Sequence, residues 1–230
     1  MSNRAQLRHP PRIAVSKRAT DLVLSLFGLV VLGPVMLAAV VMIKLSSPGP
    51  VLYRARRAGY KGKPFDELKF RTMHLGADRH GAFTLANDTR IFPAGRLMRL
   101  FKIDELPQLF NILRGEMSIV GPRPEDVAIV SEYYDDRQRQ VLEVPPGLTG
   151  LPQVRFFPDL SVIDPSGMDP HQHYRSVILP MRLEMDLEYV RKRSFWLDAY
   201  LMLMTVYLIA VKSWPILFFG PKTVQLHVLD

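Results

Sequence analysis

The 230 residues leave room for one domain with a real core, and the absence of cysteine excludes a disulfide framework and thiolate zinc sites. The formal charge of +8 is unevenly placed: residues 1–21 carry five Lys or Arg against one acid, residues 44–71 eight against two, and the chain from 72 onward 17 against 19. Positive charge thus brackets the uncharged run 22–43, which favours a phospholipid membrane with anionic lipids and argues against nucleic acid as a partner.

That run, LVLSLFGLVVLGPVMLAAVVMI, has 22 residues, roughly 33 Å of straight helix and enough to cross a bilayer's hydrocarbon core. Two features oppose a simple span. Basic clusters on both sides tend to hold both ends on the cytoplasmic face, and Gly33-Pro34 near the middle penalises a straight helix by about 3 kcal/mol. A re-entrant hairpin and a kinked spanning helix both fit these residues. A cleaved signal peptide fits less well, because the run exceeds a typical signal core and strong positive charge follows it.

Ser46-Ser47-Pro48-Gly49-Pro50 cannot continue a helix. Next, VLYRARR and PFDELKFRTM flank the turn-like GYKGK and read as a β-hairpin. Lys69 and Arg71 alternate along the second strand, where solvent exposure is their ordinary fate. Helical patterning is expected near 95–102, 105–114, 125–143 and 173–193, the last tolerating or bending at Pro180. Residues 76–94 and 144–172, rich in Gly, Pro and Asp, read as loops. Ala199–Val211 is an apolar stretch of 13 residues, too short to span. With Trp214, Phe218 and Phe219 beyond it, the region suits a helix lying in the headgroup zone or a buried core helix. The fold class is α+β, mostly helical.

The densest mixture of polar and apolar residues is RLMRLFKIDELPQLFNILRGEMSIVGPRPED. Leu106, Leu109, Phe110 and Leu113 keep helical spacing, so Asp104 is placed at a helix start, and one reading is that it merely caps that helix. The other uses the same position chemically: unpaired N–H groups and partial positive charge there favour a carboxylate and a phosphate alike. Arg99, Lys102, Arg114 and Arg123 lie nearby along the chain and suit phosphoryl oxygens. A carboxylate attacking phosphorus needs a divalent cation to screen like charge, and Mg²⁺ fits an oxygen-only Asp-Glu pair. Arg123 sits in Gly121-Pro122-Arg123-Pro124, where two prolines stiffen the loop. His171 and His173 lack further ligands at metal spacing.

These residues carry a resemblance. The chain is similar to the monotopic phosphoglycosyl transferases, bacterial sugar transferases that act on polyprenol phosphate. The similarity runs through KRATD at 17–21, Gly33-Pro34, LKFRTM at 68–73, IDELPQLFNILRGEMSIVGPRP at 103–124, PGLTG at 146–150 and MDLEYVRKRSFWLD at 185–198. It implies Asp104 as nucleophile and Mg²⁺ ligand, Glu105 as its acidic partner, and Lys69, Arg99 and Arg123 as phosphate or substrate contacts. It also implies one monotopic membrane domain over 1–230, with a re-entrant helix at 17–45 broken at Gly33 and Pro34, a cytoplasmic catalytic part at 46–194 and interfacial helices at 195–220. The implied substrates are a UDP-sugar and polyprenol (undecaprenyl) phosphate, at the cytoplasmic face of the bacterial inner membrane. Implied partners are downstream glycosyltransferases or further copies of the chain. A noncatalytic membrane scaffold of a glycan-assembly complex would use the same anchors. Two departures from the family pattern bear on sugar contacts and the helix break: Gly33 stands where many members have Ser, and Leu151-Pro152 stands in place of Trp-Ala.

Overall fold

The computed structural model describes residues 15–77, 84–85, 88–156, 162–163 and 169–214. Helix α1 (Val15–Ser46) carries the apolar run and encloses Pro34 within a single helix rather than between two. A proline removes one backbone donor and strains one turn, which bends a helix without necessarily ending it. The charged first turns of α1 are anchored to the body. Lys17 Nζ donates to Val120 O at 3.1 Å and to Asp198 Oδ2 at 2.6 Å. Arg18 donates to the carbonyls of Ile112 and Leu113 at 2.6 and 3.0 Å, and Asp21 accepts the Ile119 N–H at 3.0 Å. The far end is anchored too, because Ala39 and Ile43 are fully buried against Phe70, Phe92 and Met98. Between these ends Val23, Leu26, Phe27, Val30, Val31 and Leu37 face outward and exposed. Such a continuous apolar surface has no place in water.

Strands β1 (Leu52–Ala58) and β2 (Pro64–Phe70) form the expected antiparallel hairpin around a tight turn at Tyr60–Gly62. Lys61 and Gly62 there take positive φ, 55° and 72°. Short strands β3 (Thr84–Leu85) and β7 (Val162–Ile163) pair in parallel inside regions expected to be loops. Helix α2 (Pro93–Leu100) packs tightly on the exit of β2, where a Cβ on Gly95 would lie 2.3 Å from Thr72 O. Helix α3 (Gln108–Arg114) follows, then β4 (Ser118–Val120) and β5 (Glu125–Asp126), which extends the hairpin sheet at β1.

The single helix expected over 125–143 is divided. After β5, α4 spans Val127–Tyr133 with Asp126 accepting the Ala128 N–H at 2.8 Å as its cap. Tyr134 then turns extended, and reciprocal bonds between Asp135 and Gln138 close a turn before the 3₁₀ segment Gln138–Glu143. Asp and Gln side chains competing for local backbone groups interrupt the helix that periodicity favours. Within 144–172, β6 (Gly147–Thr149) pairs in parallel with β4, and α5 (Leu151–Arg155) leaves its end. The β4–β6 ends approach so closely that a Cβ on Gly147 would lie 2.1 Å from Gly121 N.

The expected helix over 173–193 begins earlier, as α6 (Pro170–His173), widens into a π-helical turn at Tyr174–Ile178 and continues as α7 (Leu179–Lys192). The widened turn falls where Pro180 supplies no N–H to the residue four before it. Helix α8 (Phe195–Tyr207), capped by Ser194, continues into a second π turn at Leu208–Lys212. Leu201 and Leu208 are buried, while Phe195, Trp196, Tyr200, Leu203 and Val206 are exposed. Phe218 and Phe219 lie outside the described residues.

Candidate active site

Helix α2 ends at Leu100, and two residues later Lys102 takes left-handed backbone angles, φ 56°. That conformation costs a non-glycine residue about 1 kcal/mol and reverses the chain. Ile103–Glu105 then form one 3₁₀ turn, and α3 starts only at Gln108, after Pro107. The expectation that Asp104 stands at the start of this helix is therefore corrected. It sits a full turn upstream, because Pro107 takes the cap position and makes no side-chain capping bond. Asp104 is buried, and its Oδ1 has no hydrogen-bond partner among the described residues. A capping role is thereby removed.

Burial raises the Asp104 pKa to about 6, with the adjacent Glu105 charge adding to the rise and Lys102, Lys69 and Arg99 opposing it. A buried carboxylate held without a dedicated partner is costly for the fold, a common sign of chemistry at that position. Glu105 is held differently. Its Oε1 lies 3.5 Å from Arg123 and 3.8 Å from Lys69. Lys69 reaches the site from β2, where it is also 3.4 Å from Glu67. Arg99 reaches it from α2, its Nε donating to Thr72 Oγ1 at 2.8 Å. The five residues to which the resemblance gives a role, Asp104, Glu105, Lys69, Arg99 and Arg123, line one cavity of about 1150 Å³.

Two expectations about basic residues change. Arg114 is exposed at the end of α3 and does not line the cavity. Neither Lys69 nor Arg71 simply faces solvent. Arg71 is buried and donates to Ser47 Oγ, Ser47 O and Pro50 O at 2.7, 2.8 and 2.7 Å, stapling the exit of α1 to β2. The cavity also has an apolar side, where Leu24 of α1, Met202 and Val206 of α8 and Ile209 of the π turn after it line it. It therefore joins a charged centre to the exposed apolar surface of α1 and α8.

Among the described residues no group of three or more His, Asp or Glu is arranged to hold a metal. The Asp104–Glu105 pair still fits Mg²⁺, a cation that takes one or two protein carboxylates and completes its shell with water and substrate phosphates. The orphan Asp104 Oδ1 is the free ligand atom such a site requires.

Sequence reasoning missed a buried ionic cluster behind Arg123. Arg182 of α7 pairs with Glu125, both bond Tyr174, and Asp186 lies one turn along. The available signal was Arg182 and Asp186 at (i, i+4) within the otherwise apolar face Leu179, Leu183, Leu187.

A sequence profile of the family described as bacterial sugar transferase matches residues 12–212. A UDP-glucose:undecaprenyl-phosphate glucose-1-phosphate transferase of Caulobacter vibrioides is 39% identical over 202 residues, covering 85% of this chain and 71% of that protein. The protein of the same name from Escherichia coli is 36% identical over 200 residues, 83% of this chain but 39% of its own length. A UDP-N-acetylgalactosamine-undecaprenyl-phosphate N-acetylgalactosaminephosphotransferase of Aeromonas hydrophila is 34% identical over 203 residues, 85% of this chain and 44% of its own. The chain thus spans less than half the length of the last two.

Proposed function

The chain belongs to the bacterial sugar transferase family, and from this premise we propose that it moves a sugar phosphate from a UDP-sugar to polyprenol phosphate, giving polyprenyl diphosphate sugar and UMP. The observation that carries the reading is the buried Asp104 carboxylate with one free oxygen, set among Lys69, Arg99 and Arg123 in a cavity that runs to an apolar wall. The relatives' names, which pair UDP-sugars with undecaprenyl phosphate, support the substrate classes.

In the first step an Asp104 oxygen attacks the phosphorus that bears the sugar. The bond from that phosphorus to the bridging oxygen breaks, and UMP leaves with the electron pair. In the second, a phosphate oxygen of the lipid attacks the same phosphorus and the Asp104 carboxylate departs, so the chain ends unchanged. Asp104, with Glu105 beside it, would hold Mg²⁺, which when bound would screen the anionic nucleophile from the diphosphate. Arg123 and Arg99 bind phosphoryl oxygens through their planar forks, and Lys69 adds a point charge. Glu105 keeps Arg123 and Lys69 directed at the centre.

For the membrane, the proposal places both ends of α1 on the cytoplasmic face, as one monotopic domain with α8 in the interface. Contacts of Lys17 and of Ile43 with the same folded body support it, since a helix crossing fully would carry one end away. The test is direct: the purified full chain, Mg²⁺, polyprenol phosphate and a panel of UDP-sugars, with the released nucleotide identified. UMP from at least one sugar is expected. A folded protein releasing none from the whole panel overturns the proposal.

A further inference from the structure

Gln153 is a polar residue of the cavity wall that the proposed transfer leaves unused. Both atoms of its amide, Nε2 and Oε1, are buried and have no hydrogen-bond partner among the described residues. The residue lies on α5, and its Oε1 is folded back over Gly150, 3.0 Å from where a Cβ on that glycine would stand. Gly150 in turn packs closely on Gly121, its own Cβ position lying 2.4 Å from Gly121 O, so the amide sits beside the loop that carries Arg123. One residue before Gly150, Thr149 Oγ1 meets Thr205 Oγ1 of α8 at 2.6 Å. Thr205 gives its hydrogen to Leu201 O at 2.7 Å, which makes Thr149 the donor of that pair. Gln153 therefore stands where the anion-binding loop meets the α8 wall of Met202 and Val206.

A buried donor and acceptor that are both unmet have given up water for nothing, and native folds rarely retain such a group without another use for it. Glutamine has three rotatable side-chain bonds, so a ligand in the cavity can draw the amide off Gly150. The ligand that suits it must accept from Nε2 and donate to Oε1. Phosphoryl oxygens only accept, and an isoprenoid chain does neither. A sugar hydroxyl or acetamido group does both. The sugar is also present in both half-reactions: it stays beside the charged centre after UMP leaves and while the lipid phosphate arrives along the apolar wall. Uracil can match an amide too, but it has gone by the time that wall is occupied.

We infer that Gln153 is a specificity-determining residue that recognises the transferred sugar, its carboxamide turning into the cavity to bond a hydroxyl or acetamido group of the glycosyl phosphate. The inference rests on the proposed transfer of a sugar phosphate from a UDP-sugar.

The test uses full-length enzyme, the UDP-sugar of the panel that is turned over best, and its analogues that each lack one hydroxyl or the acetamido group. Gln153→Met keeps the length of the side chain and removes donor and acceptor together. It is expected to lower kcat/KM for UMP release roughly 5- to 30-fold, the contribution of one or two neutral hydrogen bonds. The UMP burst without lipid should slow as well, while UDP affinity by titration calorimetry stays within about 2-fold of wild type. One analogue is expected to lose a similar factor with wild type and less than about 2-fold with Gln153→Met, because its partner is gone. Since nothing in the fold pairs with the amide, the variant should melt no more than about 3 °C below wild type. A larger fall, or no folded protein, makes the amide structural and overturns the inference. Unchanged kcat/KM, or equal analogue losses in both enzymes, also overturn it. So does a matching loss of UDP affinity, which assigns the amide to the nucleotide, or a normal burst rate with slow turnover only when lipid is added, which assigns it to the lipid phosphate. A wild type that releases no UMP sinks the proposed function itself, whereas an active wild type with any of these outcomes sinks only the role of Gln153.

Discussion

Asn111 is fully buried on α3 and holds that helix to β2 through three hydrogen bonds. Its Oδ1 accepts the Leu68 N–H at 3.0 Å, and its Nδ2 donates to Asp66 O at 2.8 Å and to Glu116 Oε2 at 2.7 Å. Asn111→Ala strands the Leu68 N–H away from water, at about 1–3 kcal/mol, and forfeits about 1 kcal/mol more at Asp66, while the partly exposed Glu116 recovers water. A loss of about 3 kcal/mol corresponds to a fall in Tm of roughly 6–12 °C for a chain of this length. Because Leu68 precedes Lys69, whose Nζ lies 3.8 Å from Glu105, activity is expected to fall beyond what the unfolded fraction explains. Thermal melting in detergent micelles, followed by UMP release at a temperature where the variant remains folded, checks both parts. A Tm within about 2 °C of wild type with unchanged kcat/KM would refute the reasoning.

Arg123→Lys is expected to lower kcat/KM at least about tenfold although charge is preserved, because Lys replaces a two-oxygen clamp with one mobile donor; near-normal turnover in steady-state assays contradicts that role. Burial alone would raise the Glu125 pKa, but Arg182, the Tyr174 hydrogen bond and Arg57 pull it down to about 2 from 4.5. Its stabilisation is therefore full above pH 4.5 and is lost as pH falls toward 2, on the order of 3 kcal/mol. Melting curves across that window should show the loss in wild type and little of it in Glu125→Gln, whose baseline stability is lower; identical pH profiles would exclude Glu125 as the source. Since the chain has no native cysteine, Ser16→Cys and Ser46→Cys, both exposed, are clean reporters of the two ends of α1. Both should react with an impermeant thiol reagent from the same side of the membrane, and opposite labelling contradicts the monotopic placement. Ser47 is unsuitable for this purpose, being buried and bonded to Arg71.

The apolar run, the β1–β2 hairpin and the gathering of Asp104 and Glu105 with basic side chains were legible because each rests on local pattern: an uncharged stretch, alternation around a glycine turn, and carboxylates beside arginines. What escaped is what depends on partners far along the chain. Asp104 read as a helix start because Leu106, Leu109, Phe110 and Leu113 keep the period through the 3₁₀ turn and Pro107, and only the left-handed Lys102 separates the two geometries. Arg71, directly after β2, looked solvent-facing by alternation, yet carbonyls from the α1 exit receive it. The Glu125–Arg182–Asp186 cluster joins residues about sixty positions apart, so its charges read singly as surface charges. The division of 125–143 came from side-chain competition at Asp126, Asp135 and Gln138, which hydrophobic periodicity does not register.

The covalent role of Asp104 is tested most directly by omitting the lipid. Full-length enzyme, Mg²⁺ and a UDP-sugar that supports turnover are mixed without polyprenol phosphate, and released UMP and protein mass are followed together. About one UMP per active site is expected at most, with a sugar-phosphate mass on the peptide containing Asp104, as a ping-pong scheme requires. Asp104→Asn should show neither the burst nor the added mass. A normal burst from that variant, checked for deamidation back to Asp, or the mass found on a different residue, would contradict Asp104 as the nucleophile.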